Sequence, residues 1–251
     1  MKKIYGLIGY PLGHSFSKNF FNNKFLSENI DAEYVNFEIK DVNELKYVLR
    51  ENPELCGLNV TLPHKMDVIP LLDNITDNAR NIGAVNVIKF KKSRFGKLQL
   101  EGHNSDITGF KQSIEPMLDK HIHRKALILG TGGASKAIYH GLKQLGLDCT
   151  YVSRTKKGSD NMTYDEITQG IIEDCTVIVN TTPLGMYPKT DTCPDIPYKY
   201  LTSNHILYDL IYNPDETLFM RKGKEYGAVV KNGLEMLLLQ AFISWNIWNS
   251  D

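Results

Sequence analysis

Residues 130–137 read Gly-Thr-Gly-Gly-Ala-Ser-Lys-Ala and follow directly on the apolar run Ala126-Leu127-Ile128-Leu129. A buried strand, a glycine-rich turn and a helix starting near Gly132 form the arrangement that receives the phosphates of a dinucleotide. Gly130 permits the tight turn. Gly132 and Gly133, followed by the small Ala134, let a phosphate reach the backbone, where free N–H groups and the positive end of the helix dipole meet it. Ser135 stands where a strict G-x-G-x-x-G pattern has its third glycine, and Ala137 is small enough for close helix–strand packing. The next strand, Cys149–Val152, ends in Ser153-Arg154-Thr155-Lys156-Lys157. An NAD site carries an acid here for the ribose 2′-hydroxyl. This segment offers hydroxyls and cations instead, which suit a 2′-phosphate. The expected cofactor is therefore NADP, held by the glycine-rich turn and by Ser153, Arg154, Thr155 and Lys156. The plain alternative is a solvated basic turn.

A second set of reactive side chains lies in the first hundred residues. Asn59-Val60-Thr61-Leu62-Pro63-His64-Lys65 joins a strand end to a short helix expected to begin at Pro63, where proline is best tolerated. Lys65 would fall in the first turn, where the helix dipole disfavours an ammonium and lowers its pKa. A lysine able to cycle between amine and ammonium suits acid–base work; an exposed lysine on a frayed turn is the alternative. Asn104-Ser105-Asp106 precedes a helix expected from Ile107, so Asp106 is either an N-cap or a catalytic carboxylate. Ser15 and Ser17 precede a helix containing Phe20 and face the same choice between capping and holding a small carboxylate or a polyol. His121 and His123 have neither an acidic nor a cysteine partner nearby, so they read as surface histidines and no metal is expected.

The elements that must position these groups alternate between strand and helix. Strands are expected at Ile4–Ile8, Tyr34–Ile39, Gly57–Val60, Ala84–Phe90, Lys97–Glu101, Thr176–Asn180 and Ile206–Leu210. Helices are expected at Ser17–Glu28 and Val42–Glu51, and from Ile107 to near Pro116–Asp119. A hairpin turn is expected across Lys91–Gly96. A last helix carries the apolar stripe Leu234, Leu237, Leu238, Ala241, Trp245 and Trp248. An α/β protein of two domains is expected: 1–104, completed by 231–251, and 105–230. A second junction near Val230–Asn232 would let the last helix return to the first domain.

Composition narrows the class. Lys+Arg and Asp+Glu are both 29 in 251 residues, so charge gives no reason to expect a nucleic acid or an anionic membrane as partner. Cys56, Cys149, Cys175 and Cys193 lack C-x-x-C spacing and read as free thiols of a reducing compartment. Ile4–Ile8 is too short for a signal-peptide core and no run reaches membrane-spanning length. The expected location is the cytoplasm, as a monomer or homodimer.

Taken in order, these motifs resemble the shikimate dehydrogenase family along nearly the whole chain. Gly9–Ser17 is similar to G-x-P-x-x-H-S-x-S, Asn59–Lys65 to N-V-T-x-P-x-K, and Gly83–Asn86 to G-A-x-N. Gly102–Asp106 resembles G-x-N-T-D with Ser105 in place of threonine. Asn180–Met186, Tyr208–Pro214 and Gly233–Leu237 with Gln240 resemble N-x-T-x-x-G-M, Y-D-x-x-Y-x-P and the family's final helix. Departures are Lys18 and Phe21, where the family has proline and histidine, and Glu235, where it usually has glycine.

The resemblance implies a substrate-binding N-terminal α/β domain and a C-terminal NADP-binding Rossmann domain. The reaction it implies is NADP-dependent interconversion of 3-dehydroshikimate and shikimate in chorismate and aromatic amino-acid synthesis. It assigns Lys65 and Asp106 as the catalytic pair, Ser15 and Ser17 to the substrate carboxylate, and Thr61, Asn86 and Gln240 to the ring hydroxyls. Tyr212 is placed near the substrate, and Thr182, Met186, Gly227 and Gly233 beside the nicotinamide. A quinate/shikimate dehydrogenase and a non-catalytic NADP-binding sensor are the rival functions.

Overall fold

The apolar run at the start of the chain forms β1 (Lys3–Gly9), whose last five residues are buried, as in a strand covered on both faces. The computed structural model describes residues 2–13, 15–92, 96–156 and 161–250. His14, the hairpin residues Ser93, Arg94 and Phe95, and Lys157 lie outside the described residues. The chain divides into two units: Met1–Ser105 with Ala241–Asp251, and Asp106–Gln240.

In the first unit β1 is followed by α1 (Phe16–Ser27), β2 (Ala32–Glu38), α2 (Leu45–Glu51) and β3 (Leu55–Val60). Next come β4 (Asn74–Ile75), α3 (Asp77–Ile82), β5 (Val87–Lys92) and β6 (Leu98–His103). The sheet order is β2-β1-β3-β5-β6-β4. β1 runs parallel to β2 and β3, and β5 runs antiparallel to β3 and β6. Ile8 pairs with Val60, Asn59 with Val87, and Val87 with His103. The ends of β1, β3 and β6 and the start of β5 therefore share one sheet edge.

The second unit begins with α4 (Asp106–Ile114), β7 (Lys125–Leu129), α5 (Gly133–Gln144), β8 (Asp148–Ser153) and β9 (Asn161–Thr163). It continues with α6 (Gln169–Asp174), β10 (Val177–Asn180), β11 (Ile206–Asp209), α7 (Leu218–Glu225), β12 (Val229–Lys231) and the start of α8 (Leu234–Asn249). Its sheet is parallel throughout, in the order β12-β11-β10-β7-β8-β9. Alternate strand residues feed two cores: Leu127, Leu129, Ile178 and Leu207 on one face, and Ala126, Ile128, Val177, Val179 and Tyr208 on the other. The strand order reverses between β7 and β10, which places a crevice at their carboxyl ends.

Several expectations need correction. Residues 62–68 form single turns, with His64 N–H bonding Thr61 O and Val68 N–H bonding His64 O, and only Ile69–Leu71 closes into a 3₁₀ turn. Pro70 has no N–H to continue a helix begun at Pro63. Lys65 thus lies in a turn, and the helix-field argument for it falls away. α4 starts at Asp106 itself, so that residue sits in the first helical turn. β5 starts at Val87 because Gly83, left-handed at φ 66°, ends α3 and the chain must cross before pairing. Residues 231–240 group with the second unit, since β12 pairs with β11 and Met236 packs with Phe110 and Tyr208. Gly227 precedes β12, at the sheet edge opposite the glycine-rich turn, and does not line the nicotinamide edge.

The stripe on α8 also differs: Leu234 is exposed, and the buried positions after residue 240 are Ala241, Ser244 and Trp248. Those three belong to the first unit. Trp248 packs there on Tyr5 with ring centroids 4.9 Å apart and on Phe21 at 5.3 Å. Its Nε1–H donates to Ile88 O at 3.2 Å. Gly57 leaves room for it, since a Cβ there would lie 2.4 Å from the indole. Truncating the ring leaves a large void that the surrounding sheet cannot close. Trp248→Ala is expected to lose about 3–5 kcal/mol of stability, read as a lowered urea midpoint.

Candidate active site

The first unit gathers Ser15, Ser17, Thr61, Lys65 and Asn86 at its shared sheet edge. Ser15 caps α1, its Oγ accepting the Lys18 N–H at 3.3 Å. The loop after β1 is stapled to the loop after β3 by Tyr10 N–H to Leu62 O at 3.0 Å, and Thr61 N–H bonds Ile8 O at 2.9 Å. Lys65 is half-buried, and its carbonyl accepts Val85 N–H at 2.8 Å, which ties its turn to the segment before β5. His64 is buried with Nε2 2.8 Å from Ile39 O, a packing role.

A chain of buried polar groups runs beneath this edge. The phenol of Tyr34 is fully buried, and burial drives its pKa well up against the opposing pull of the Ser17 hydroxyl. Tyr34 O–H donates to Asn59 Oδ1 at 2.8 Å. Asn59 Nδ2 donates to Asn86 O at 3.2 Å and to Ser244 Oγ at 3.0 Å. Asn86 is 3 % exposed, its Oδ1 accepting Ser105 N–H at 2.7 Å and its Nδ2 donating to Ser105 Oγ at 3.0 Å. Asn104 Nδ2 holds Ala84 O at 3.0 Å, so the exit of β6 is fixed to the same edge. Motif spacing includes Asn59 without giving it a task; an amide inside an apolar strand was the available signal.

The second unit carries its own candidate residues. Gly130, at φ 107°, ends β7 and approaches the next strand end so closely that a Cβ would lie 2.8 Å from Thr181 Oγ1. Built Cβ atoms on Gly132 and Gly133 meet nothing within 4 Å, so the start of α5 is open to a ligand. Ser135 is buried and turns inward, its Oγ donating to Gly132 O at 2.6 Å. At the end of β8, Ser153 is buried and its Oγ donates to Thr155 O. Arg154 is exposed, and its charge opposes the rise that burial imposes on the Tyr164 phenol. Lys156 pairs with Glu166 at 2.7 Å and holds that carboxyl below its usual value.

Thr182, Met186 and Gly233 also follow strand ends on this edge. Gly233 is buried against the chain after β11, where a Cβ would collide with Leu210 O. Asp106 is 7 % exposed. Tyr212 lies in the loop after β11, 38 % exposed. Gln240 donates from Nε2 to Leu237 O at 2.8 Å, within α8. These last three residues belong to the second unit. No cluster of metal-ligating side chains occurs among the described residues. His123 Nδ1 accepts Asp119 N–H instead.

Two residues without an assigned task organise the loop after β10. Asn180 is fully buried; its Oδ1 accepts both the N–H and the hydroxyl of Thr182, at 3.0 and 2.7 Å. Its Nδ2 donates to Asp209 Oδ1 at 3.0 Å. Asp209 also accepts Ile211 N–H at 3.0 Å and the Thr217 hydroxyl at 2.6 Å. Burial pushes its carboxyl from 3.8 up to about 6, against the pull of those three bonds.

A family model described as the shikimate dehydrogenase substrate binding domain matches residues 7–88. A shikimate dehydrogenase (NADP(+)) of Methanosphaera stadtmanae is 37% identical over 98% of this chain and 90% of its own length. The crystal structure of shikimate dehydrogenase from Aquifex aeolicus is 34% identical with a TM-score of 0.85, covering 99% of this chain and 92% of that one. The Thermus thermophilus enzyme, crystallised in complex with NADP(H) and shikimate, is 26% identical with a TM-score of 0.83, covering 98% of this chain and 93% of that one.

Asp209 gives a pH signature. Its folded value lies above the ordinary one, so it favours folding while protonated. That contribution is complete below about pH 4 and is lost as pH rises through about 6, a change of about 3 kcal/mol. Urea midpoints of the parent chain and Asp209→Asn, compared from pH 4 to 7, are expected to show this slope in the parent only.

Proposed function

The chain belongs to the shikimate dehydrogenase family, and we propose that Lys65 and Asp106 do the acid–base work of its reaction. The protein is an NADP-dependent oxidoreductase that interconverts 3-dehydroshikimate and shikimate, a step of aromatic amino-acid synthesis. The observation that supports the residue assignment best is the convergence of Ser15, Ser17, Thr61, Lys65 and Asn86 on one strand-end edge. A small polyhydroxylated acid needs donors for its carboxylate and its ring oxygens, and those side chains supply them. Ser15 and Ser17 are assigned the carboxylate; Thr61, Asn86 and Gln240 are assigned the hydroxyls, with Tyr212 beside them.

The second unit fits NADP. The open backbone at Gly132 and Gly133 admits a phosphate, and α5 offers its N-terminal N–H groups to it. With them in the cofactor assignment stand Gly130 and Ala134 in the turn, and Ser153, Arg154, Thr155 and Lys156 for the 2′-phosphate. Thr182, Met186 and Gly233 are assigned to the nicotinamide side. NADP supplies hydride chemistry when bound. Lys65, as ammonium, gives a proton to the substrate oxygen as the carbonyl becomes a hydroxyl and stabilises the negative charge that develops there. In the reverse direction its neutral amine takes that proton. Asp106 is the carboxylate of the pair.

No helix among the described residues is long and apolar enough to cross a membrane. The reading is of a cytoplasmic enzyme, monomeric or homodimeric, and the balanced charge of the chain gives no reason to expect a nucleic acid or an anionic membrane as partner. Substrate is assigned to the unit of Met1–Ser105 with Ala241–Asp251, and cofactor to the unit of Asp106–Gln240.

Nicotinamide absorbance at 340 nm, followed with shikimate or quinate and with NADP or NAD, tests the reading. Turnover is expected with shikimate and NADP; dominant turnover with quinate or NAD would overturn the roles of Ser17 or Arg154. Lys65→Ala is expected to lose about 10²–10⁴-fold in kcat while its affinity for NADPH, read by fluorescence titration, stays near that of the parent. Undiminished turnover in that variant would remove Lys65 from the mechanism.

A further inference from the structure

The hydroxyl of Ser244 sits where two buried amides meet. Ser244 and Ser105 are both fully buried, and their Oγ atoms lie 3.2 Å apart. Each hydroxyl accepts a hydrogen bond from a different asparagine: Ser244 from Asn59 Nδ2 at 3.0 Å, Ser105 from Asn86 Nδ2 at 3.0 Å. Asn59 cannot turn its amide over, because its other N–H points at Asn86 O and its oxygen receives the Tyr34 hydroxyl. Asn86 is held the same way, its oxygen on Ser105 N–H. The two serines join these amides into one connected network inside the first unit, across 185 residues of chain between Asn59 and Ser244.

We propose that Ser244 is a positioning residue for substrate binding, fixing the amide of Asn59 directly and that of Asn86 through Ser105. The proposal rests on the reading of Asn86 as a substrate contact. Removing the Ser244 hydroxyl leaves the Asn59 N–H and the Ser105 hydroxyl each one partner short inside the core. The cheapest relief is a change of rotamer at Ser105, which withdraws the oxygen that receives the Asn86 Nδ2–H while the Ser105 backbone N–H still holds the Asn86 oxygen. Asn86 is then fixed at one end of its amide instead of two, and its aim at the substrate is loosened.

The test is steady-state kinetics on the full chain. Ser244→Ala is expected to raise KM for shikimate about tenfold, with kcat and the KM for NADP within about twofold of the parent. The isosteric pair Ser244→Thr and Ser244→Val separates hydroxyl from shape and keeps the question open to answer if the alanine variant does not fold. The threonine variant should have a lower shikimate KM than the valine variant by a similar factor. Equal KM in that pair, or a fall in thermal midpoint with no KM change in Ser244→Ala, would overturn the proposal and leave Ser244 as a packing residue. Asn86→Ala measured alongside distinguishes the two failures. A raised shikimate KM there with silent Ser244 variants sinks the positioning role alone; an unchanged KM sinks the reading of Asn86, and the positioning role with it.

Discussion

A buried amide has two donors and an acceptor that must all be matched, and in Asn59 that requirement organises the first unit. Its oxygen is taken by Tyr34 of β2, one N–H by the backbone at the start of β5, and the other by Ser244 of α8. One side chain thus locks the relative position of three elements around the end of β3. An unmatched polar group in such a place costs about 1–3 kcal/mol, so the arrangement has few neighbours of similar energy. The strand ends, and the side chains that leave them, inherit that definition.

Asn180 does comparable work in the second unit. It too lies at the end of an apolar strand, and it too is buried. Its oxygen gathers the turn that follows and its amide nitrogen reaches across to Asp209. Each unit therefore pins one strand end with a fully engaged asparagine. Parallel strands favour this arrangement, because their carboxyl ends open on the same side of the sheet.

What the sequence made legible was local. The strand, glycines and helix of 126–144 are contiguous: Gly130 makes its turn at positive φ, and nothing crowds Gly132 or Gly133. The order of the β–α units was readable from periodicity for the same reason. Features set by partners far along the chain were not. A proline at position 63 favours a helix start, but Pro70 decides that none propagates. The inward face of α8 does not follow its most apolar line, because the surface it meets holds an amide as well as aromatic rings; Ser244 is buried and Leu234 is exposed. Asp209, Asn180 and Asn59 were quotable within motifs, yet their work depends on strand pairing that no local pattern reveals. Gly227, placed beside the nicotinamide by the resemblance, lies before β12 and not after it.

Because Trp248 and Ser244 complete a core begun by Tyr5, Phe21 and Tyr34, the ribosome must synthesise all of the second unit before the first can close. During that interval the nascent chain carries an aromatic cluster and an unmatched asparagine amide that have only solvent or a chaperone for company. The second unit, apart from its own start, needs no such wait. Vectorial synthesis and completion of folding thus run in opposite order here: the segment made first is the one finished last.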